Sequence, residues 1–432
     1  MKTLRKLFFL LIILSLLVSC ADPAPVTEAE PATAAQEVDE PEAPEEPAEA
    51  AQPVEGEDAA TEDSVAEEET APQTPPELAD GAHWMEHFTN EILPFWAVPD
   101  ALGDPLGNWP SERCDDGTAY SADNPCPEIH NNGWLNGDLE YVVSRSRQTY
   151  GYGVAFHLTG DPIYLEYMAA GVDYLRANAF DRIHGGTFAT SNNAGENWGP
   201  EPDFRNPQEL AYSLLGISFY YYLTRDAEVL PDILAVEEYI FENYYNTDLN
   251  ALQWMLASDG NRDPMDKQLT AQLDNLNAYM VLMYPVLPKE HQVNWAEDMR
   301  LIADIMMTEF YNADENLFFL SANSPDEVTK ANAATDFGHT IKAIWMIYNV
   351  GLLLEDQELI DFAMQAGPGV LEQAYIVEEG TWANGVDVGG KRMDDKDWWV
   401  YNELDQFAMT FALHDEDIAA YLPSSTDYFF QY

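Results

Sequence analysis

Residues 336–354 read DFGHTIKAIWMIYNVGLLL, and residues 356–374, one position further on, read DQELIDFAMQAGPGVLEQA. In both stretches apolar side chains recur at the spacing of one face of an α-helix. Only Glu355 separates them, so the sequence predicts two antiparallel helices joined as a hairpin. Such apolar helices must be covered by further elements, and the fold therefore depends on what repeats around this hairpin.

Equivalent helical stretches pair into hairpins along the rest of the chain. They cover residues 84–96, 140–158, 162–178, 206–224, 227–245, 268–285, 289–310, 336–354, 356–374, 397–413 and 416–431. The pairs repeat about every 60 residues, which is too long for the helical repeats of about 34 residues in interaction solenoids. The pattern predicts an all-α fold, an (α/α)6 toroid or six-hairpin barrel. We expect the second helix of each pair in an inner ring and the first in an outer ring.

Eleven helical stretches are visible before the sequence ends at Tyr432. A six-hairpin barrel has one more helix than this. We therefore expect residues 81–432 to form a barrel domain that is C-terminally incomplete and lacks its last helix. A natural barrel one helix short is the alternative, although it would leave an apolar flank unfilled.

The N-terminus carries the features of an export signal. Three basic residues precede an apolar run over residues 7–18, which is too short to span a bilayer but suits a signal peptide. The run ends in LVSC at residues 17–20, which resembles a bacterial lipobox. We expect residues 1–19 to be removed and Cys20 to be lipidated, with ordinary secretion as the alternative. Ala21 favours the outer membrane or the cell surface over inner-membrane retention.

An acidic linker follows at residues 20–80. Residues 21–80 hold 20 acidic residues and ten prolines, with no basic and no aromatic residue, which predicts a disordered tether. Residues 81–432 carry 57 acidic against 16 basic residues, and the chain has a formal net charge of −58. This charge argues against nucleic acid and polyanionic partners, so we expect contact with the membrane through the lipid anchor only.

Two further cysteines lie close together in a loop rich in proline, glycine and aspartate. Cys114 and Cys126 follow an export signal, which places them in an oxidising compartment. We therefore expect a disulfide between them. Two free thiols are the alternative, and the spacing does not suggest a metal site.

Polar residues inside the otherwise apolar helices fall near the starts of the expected inner helices. They are Arg145, Arg147, Asn206, Glu209, Gln272, Asp274, Asn277, Asp336, His339, Lys342, Asn402 and Glu403. Parallel inner helices would bring these starts together at one end of the barrel, with their free N–H groups and positive dipole ends. Such a mixture of amides and a few charges, with aromatic walls, suits a neutral sugar.

Several aromatic residues could stack on the C–H faces of a sugar. The candidates are Tyr150, Trp345, Trp382, Trp398 and Trp399. Core packing is the alternative for each of them.

Four segments, in this order, resemble the N-acylglucosamine 2-epimerase family. They are SRQTY at residues 146–150 with AFHLTGD at 155–161, the turn at residues 181–186 with its paired glycines, Gly338-His339 followed by Trp345, and Lys396-Asp397-Trp398-Trp399 followed by Glu403. Order and spacing agree over roughly residues 85–430. The family holds N-acylglucosamine and cellobiose 2-epimerases and aldose–ketose isomerases on the (α/α)6 barrel. The resemblance therefore implies this fold and a sugar epimerase or isomerase activity.

The chemistry that the resemblance implies is proton transfer beside a sugar aldehyde, through an enediol-like intermediate. Histidine suits this work because its unperturbed pKa is about 6.5, so His339 would be an acid/base group. Arg147 would stabilise the developing oxyanion, and Glu403 would orient a sugar hydroxyl or a histidine. Asp274, Lys342 and the aromatic candidates would contact the substrate.

Each of the three catalytic candidates has a structural alternative. His339 would also suit a hydrogen-bonded core position. Arg147 would suit an ion pair with Glu140 or Asp138, and Glu403 a helix cap or an ion pair.

The sequence departs from the family at Lys342, where the family has a glutamate, and the departure changes the charge beside His339. Lys342 is also the one other candidate for proton transfer near His339, provided that burial lowers its pKa by several units. The family's second catalytic histidine belongs to the last helix, which would follow Tyr432.

Two other functions fit the same residues. A six-hairpin glycoside hydrolase or lyase would use a carboxylate pair drawn from Asp274, Asp336 and Glu403. A catalytically silent sugar-binding lipoprotein would fit Lys342 and the missing helix. The sequence has no histidine spacing that suggests a shared metal and no phosphate loop or nucleophile elbow. We therefore expect a small mono- or disaccharide as partner, and neither metal nor cofactor.

Replacing Cys20 with serine should release the protein from membrane fractions, because serine lacks the thiol that receives the lipid. The wild-type chain should incorporate a fatty-acid probe in cells, and Cys20→Ser should not. Ser19→Ala keeps a small residue before the cysteine and should still be labelled. Absence of label on the wild-type chain would contradict the lipid anchor.

Overall fold

The computed structural model describes residues 77–120, 124, 126, 139–192, 197–199, 205–256, 266–321, 335–387 and 390–431. The expected signal peptide, Cys20 and the linker up to residue 76 lie outside these residues and stay predictions. Within the described ranges, no helix has the length and apolar character needed to cross a membrane.

The helices follow one another in the order that the sequence predicts. They are α1 (Gly81–His87), α2 (Leu93–Trp96), α3 (Pro99–Leu102), α4 (Val142–Thr159), α5 (Pro162–Asn178), α6 (Pro207–Thr224), α7 (Leu230–Tyr244), α8 (Leu269–Asn275), α9 (Val281–Met283), α10 (Lys289–Ile305), α11 (Phe337–Leu354), α12 (Gln357–Ala374), α13 (Trp398–Phe411), α14 (Glu416–Ala419) and α15 (Leu422–Gln431). Three π-helical turns, Phe88–Ile92, Leu276–Met280 and Met306–Phe310, continue α1 into α2, α8 into α9, and α10 towards the next strand. A 3-10 turn, Tyr284–Val286, follows α9.

Short antiparallel strands fill the connections from outer to inner helices. They are β1 (Leu139–Tyr141), β2 (Thr190–Asn192), β3 (Asn197–Trp198), β4 (Tyr245–Asn246), β5 (Ala251–Leu252), β6 (Tyr311–Asn312), β7 (Leu317–Phe318), β8 (Thr335–Asp336), β9 (Tyr375–Ile376), β10 (Thr381–Trp382), β11 (Gly385–Val386) and β12 (Arg392–Met393). The pairs β4–β5, β6–β7 and β9–β10 each follow an outer helix. These connections carry turn residues with positive φ, namely Asn250, Asn316 and Gly380. The turn chemistry therefore closes small hairpins, which pair backbone groups that would otherwise be buried without partners.

The hairpin of α11 and α12 shows how the chain reverses. Glu355 adopts the left-handed conformation, with φ of 59°, and ends α11. The Asp356 side chain then accepts a hydrogen bond from the backbone N–H of Glu358 and caps α12. A single left-handed residue followed by an aspartate cap thus turns the chain at once, and Gly160 with Asp161 does the same between α4 and α5.

Burial separates an inner from an outer ring. In α11, 14 of 18 residues are buried, whereas in α12 the buried residues number 7 of 18 and follow one stripe. The helices α4, α6, α8 and α13 are buried like α11. These five are the inner helices, and each is the second helix of a predicted pair: α11 pairs with the preceding outer helix α10, and the tight turn after α11 leads to α12, the outer helix of the next pair.

Small residues let the inner helices α4 and α6 approach closely. A Cβ at Gly216 would lie 2.8 Å from the Ser146 carbonyl oxygen, so no larger residue fits there. The Gly216 N–H donates to Ser146 Oγ over 3.0 Å, and Ser146 Oγ donates to the Ser213 carbonyl over 3.1 Å. These contacts fix the position of α4 along its axis relative to α6.

The segment before α4 is tied to the barrel. Cys114 and Cys126 form a disulfide with their Cα atoms 5.5 Å apart, and both side chains are buried. Buried Trp109 donates to Thr149 Oγ1 on α4 over 2.9 Å. The N-terminal helix also contacts the C-terminal one: Trp84 of α1 packs against Phe430 of α15, with ring centroids 4.4 Å apart. The first and last described helices therefore meet.

Two acidic side chains meet between the outer helices α7 and α10. Glu237 is hydrogen-bonded to Asp298. Burial and the charge of Asp298 raise the pKa of Glu237 to about 8. The folded chain thus favours protonated Glu237, and stability falls as the pH rises above the ordinary range of a glutamate towards 8.

Glu237→Gln should remove this pH dependence, because an amide donates to Asp298 without titrating. We expect the variant to gain about 1–3 kcal/mol over the wild type above pH 8 and little below pH 5. Urea denaturation between pH 5 and pH 9 measures the difference. Glu242→Gln, an exposed glutamate further along α7 with the same change of charge, is the matched control. Parallel pH profiles of wild type and Glu237→Gln would contradict the raised pKa of Glu237.

Candidate active site

The inner helices carry polar side chains at one common position. The sixth residue of each inner helix is Arg147 in α4, Tyr212 in α6, Asp274 in α8, Lys342 in α11 and Glu403 in α13. With a rise of about 1.5 Å per residue, these residues lie at a similar depth below the helix starts. We call this set the polar ring. The sequence analysis placed four of its members in the site and missed Tyr212.

Asp274 is the acceptor that links three inner helices. Its Oδ1 accepts from Lys342 Nζ and from the Tyr212 hydroxyl, each over 3.1 Å. Its Oδ2 accepts from Gln208 Nε2 over 2.8 Å. Asp274 and Lys342 are only 1% and 2% exposed, so the pair is fully desolvated and held by hydrogen bonds on both carboxylate oxygens.

Lys342 is a fixed cation. Burial lowers the pKa of Lys342, but the negative charges of Asp274 and Glu403 outweigh burial and raise it overall. The interpretation of Lys342 as an alternative to His339 in proton transfer is therefore wrong, because it required a pKa lowered by burial. Lys342 instead supplies positive charge beside His339.

Arg147 lies against Tyr212 in the polar ring. The centre of its guanidinium group is 4.1 Å from the centroid of the Tyr212 ring, within the range of a cation–π interaction. The ion pair considered for Arg147 is made by Arg145, whose guanidinium lies 3.1 Å from the Glu140 carboxylate. Arg147 thus presents its charge at the level of the ring, and Asp138 lies outside the described residues.

His339 lies at the edge of the ring, as the third residue of α11. Asp336 caps the helix, with Oδ1 accepting from the His339 backbone N–H over 2.5 Å and Oδ2 lying 2.7 Å from His339 Nδ1. The Trp399 ring packs edge-on against the imidazole at 4.7 Å. Burial lowers the pKa of His339, but the charge and hydrogen bond of Asp336 outweigh it and raise the pKa overall.

Glu403 is a buried acid with an unused oxygen. It is 3% exposed, and among the described residues no hydrogen-bond partner reaches its Oε1. Burial raises the pKa of Glu403 to about 7. The positive charges of Lys342 and His339 oppose this rise, and the negative charges of Asp274 and Asp336 support it. The raised pKa of Glu403 could not be predicted from the sequence, since it depends on burial by segments that are distant along the chain.

Two of the five aromatic candidates lie in packed surroundings. Tyr150 is 1% exposed and packs on Phe219, with ring centroids 4.7 Å apart. Trp382 is buried and donates from Nε1 to Asp405 over 2.8 Å. For these two residues the structure shows the core packing that was the alternative.

The other three tryptophans lie on α11 and α13. Trp345 is buried one turn below Lys342. Trp399 is buried against His339. Trp398, at the first position of α13, is 50% exposed. Among the five candidates, Trp398 has the largest open surface for stacking on a ligand.

The site combines the hydrogen-bonded pair of His339 and Asp336, the cations Arg147 and Lys342, and the acid Glu403, whose pKa is raised to about 7. Within the described part of the chain, no three histidine, cysteine, aspartate or glutamate residues are grouped so that they could hold a metal ion. Such a site can remove a proton, stabilise the resulting negative charge and return a proton.

Comparison with solved structures defines the class of fold. The crystal structure of a sugar epimerase from a ruminal bacterium matches with a TM-score of 0.66 at 18% identity, over 81% of this chain and 86% of that chain. The crystal structure of a D-mannose isomerase also matches with a TM-score of 0.66, at 14% identity and over the same shares of the two chains. The predicted (α/α)6 toroid is confirmed.

The family follows from the sequence. The profile of the N-acylglucosamine 2-epimerase (GlcNAc 2-epimerase) family matches residues 128–422, so the chain belongs to this family of carbohydrate epimerases. A cellobiose 2-epimerase from Eubacterium cellulosolvens is 22% identical over 347 residues, which cover 74% of this chain and 78% of that relative. The resemblance drawn from the four motifs is confirmed.

Asp274→Asn should lower the free energy of unfolding by about 3–5 kcal/mol, because it leaves the buried ammonium group of Lys342 without a counter-charge. The double variant with Lys342→Met should recover most of the loss, since both charges then disappear together. Urea denaturation of the full chain measures the three values. Asp173→Asn, at an exposed position of α5, is the control and should stay within about 0.5 kcal/mol. Wild-type stability of Asp274→Asn would contradict the ion pair.

Proposed function

We propose that the protein moves a proton at C2 of a reducing sugar, as a 2-epimerase or an aldose–ketose isomerase. The His339–Asp336 pair carries this proposal. Because Oδ2 of Asp336 lies 2.7 Å from Nδ1, it favours the tautomer with the proton on Nδ1. The lone pair of Nε2 then serves as the base, and His339 lies at the edge of the polar ring in a chain that belongs to a family of sugar epimerases.

The proposed reaction begins with an open-chain sugar. His339 Nε2 accepts the proton from C2, the C–H electron pair forms a double bond between C1 and C2, and the aldehyde oxygen takes up negative charge. Arg147 and Lys342 supply the positive charge at the level of the ring. The planar guanidinium of Arg147 suits this oxygen because it donates two hydrogen bonds in a fixed geometry.

The proposed substrate is a neutral mono- or disaccharide. A formal net charge of −58 disfavours anionic sugars. The exposed face of Trp398 suits the second ring of a β-1,4-disaccharide, and the similarity to a cellobiose 2-epimerase supports that class. The enzyme would work at the cell envelope, anchored by lipidated Cys20 and held away from the membrane by the linker.

The hydrolase alternative finds less support in the geometry. A glycosidase needs one carboxylic acid and one free carboxylate. If Glu403 is the acid, the free carboxylate would have to be Asp274 or Asp336. Asp274 already accepts a hydrogen bond from Lys342 and Asp336 one from His339, so neither carboxylate is free. Proton transfer by His339 requires no such rearrangement.

His339→Ala should abolish the exchange of the C2 proton with solvent. The full chain is incubated in D2O with mannose, glucose, N-acetylated hexosamines and cellobiose, and deuterium at C2 is read by NMR. The wild type should place deuterium at C2 without added nucleotide or metal. His157→Ala, an exposed histidine in the last turn of α4, should exchange like the wild type. Full exchange in His339→Ala would remove the histidine from the mechanism.

Arg147→Lys should reduce turnover by about 10²-fold or more, because a point-like ammonium group replaces the planar donor pair. Initial rates with the sugar that exchanges best measure this effect. Arg182→Lys, a half-exposed arginine paired with Asp232 on the outer ring, is the matched control. Unchanged turnover in Arg147→Lys would contradict its role at the oxyanion.

A further inference from the structure

Arg147 is the member of the polar ring that keeps accessible surface. The other four members, Tyr212, Asp274, Lys342 and Glu403, are each at most 3% exposed, whereas Arg147 is half-buried. The four buried members can therefore act on a bound sugar through their field or through a neighbour that touches the sugar. Tyr212 is in contact with such a neighbour, because its ring lies against the guanidinium group of Arg147.

We propose that Tyr212 is a positioning residue, and that the face of its ring holds the guanidinium group of Arg147 in the orientation in which it donates to the sugar oxyanion. The inference rests on the proposed function, because that function makes Arg147 the oxyanion donor. It deepens the function by naming the group that orients this donor.

The first argument is the contact between the two side chains. The central carbon of the Arg147 guanidinium lies 4.1 Å from the centroid of the Tyr212 ring, well inside the range of about 6 Å for a cation–π interaction. Arginine has many rotamers, so the donors at its end are poorly placed unless a neighbour restricts them. A flat ring restricts the planar group to one layer, and a group stacked by its face donates through its N–H edge.

The second argument is that Tyr212 is itself held in place. Its hydroxyl donates to Asp274 Oδ1 over 3.1 Å and accepts from Lys342 Nζ over 3.3 Å. One turn earlier on α6, Gln208 Nε2 donates to the other oxygen of Asp274 over 2.8 Å. The ring is therefore fixed at one end by its helix and at the other end by a buried ion pair. It offers Arg147 a surface that cannot turn away.

The third argument is the alignment of α4 with α6 beside Arg147 and Tyr212. Ser146, which precedes Arg147, donates from Oγ to the carbonyl of Ser213, which follows Tyr212, over 3.1 Å. The N–H of Gly216 donates back to Ser146 Oγ over 3.0 Å. The two inner helices therefore cannot slide past each other where the guanidinium group meets the ring. The contact is set by the backbone of the barrel.

The ring and the hydroxyl of Tyr212 have separable roles. The ring face contacts Arg147, whereas the hydroxyl belongs to the hydrogen bonds that join α6 to α8 and α11. Loss of the hydroxyl alone should therefore lower stability more than turnover. Loss of the ring should lower turnover even in the folded protein.

Tyr212→Leu should lower kcat by about 10–10²-fold, because a small displacement of a positioned group from the reacting atoms is that costly. KM for the same sugar should stay within about twofold, since the oxyanion forms only as the proton leaves. Tyr212→Phe keeps the ring face, so its kcat should stay within about threefold of the wild type, although its urea midpoint should fall. Tyr220→Leu, at a half-buried position further along α6, is the matched control and should leave both constants unchanged.

A double-mutant cycle tests whether Tyr212 acts through Arg147. In the Arg147→Lys background the planar group is gone, so adding Tyr212→Leu should change kcat by less than about twofold. Full and independent losses from the two substitutions would overturn the positioning role. An equal loss of kcat in Tyr212→Phe and Tyr212→Leu would tie turnover to the hydroxyl or to stability and would overturn it as well.

Heteronuclear NMR of the arginine side chains gives a readout that depends neither on turnover nor on the folding of the leucine variant. The Nε–H signal that disappears in Arg147→Lys identifies Arg147, and the aromatic face should shift this signal upfield in the wild type and in Tyr212→Phe. An unshifted Arg147 signal in the wild type would overturn the inference and leave the proposed function intact. Absence of C2 exchange in the wild type with every sugar would overturn the proposed function, and the inference with it.

Discussion

The buried ion pair of Lys342 and Asp274 sets the electrostatics of the barrel centre. Both groups have lost nearly all contact with water, so each depends on the other for the stabilisation that water would provide. The pair joins α8 to α11, and the Tyr212 hydroxyl donates to the same carboxylate and joins α6. Three inner helices therefore meet at a single carboxylate, and their relative levels cannot shift without breaking it.

This pair also explains how the chain tolerates a buried lysine at the centre of the barrel. A buried ammonium group in a medium of low dielectric is prohibitive without a partner of opposite charge. Asp274, on the neighbouring inner helix, supplies that partner. The consequence reaches Glu403: burial raises the pKa of Glu403, Lys342 and His339 oppose this rise, and Asp274 and Asp336 support it.

Much of the fold could be predicted because it follows from local sequence. The apolar period of residues 336–374 specifies a hairpin, and the capping residues Asp336 and Asp356 specify where its helices begin. The proximity of His339 and Lys342 could be predicted for the same reason, since they are one turn apart on one helix. The choice of Arg145 rather than Arg147 as the partner of Glu140 could not be predicted, because it depends on the rotation of α4 against its neighbours.

The pKa shifts could not be predicted from the sequence. Glu237 and Asp298 are 61 positions apart and meet only because α7 and α10 are adjacent in the outer ring. Tyr150 was predicted to stack on a sugar, yet it packs on Phe219, which α6 contributes. In each case the deciding neighbour comes from another hairpin, and a single sequence does not say which hairpins face each other.

The contrast between surface and centre accounts for the choice of chemistry. The chain as a whole is strongly acidic, yet the polar ring sets the cations Arg147 and Lys342 against Asp274, which accepts a hydrogen bond from Lys342, and against Glu403, whose pKa burial raises. The ring therefore carries an excess of positive charge before substrate binds. In the proposed reaction an enediolate adds one negative charge, so the centre would approach neutrality as the intermediate forms. A neutral sugar gains from this field only when its aldehyde becomes an oxyanion, and stabilisation that appears only then lowers the barrier and not merely the free energy of binding.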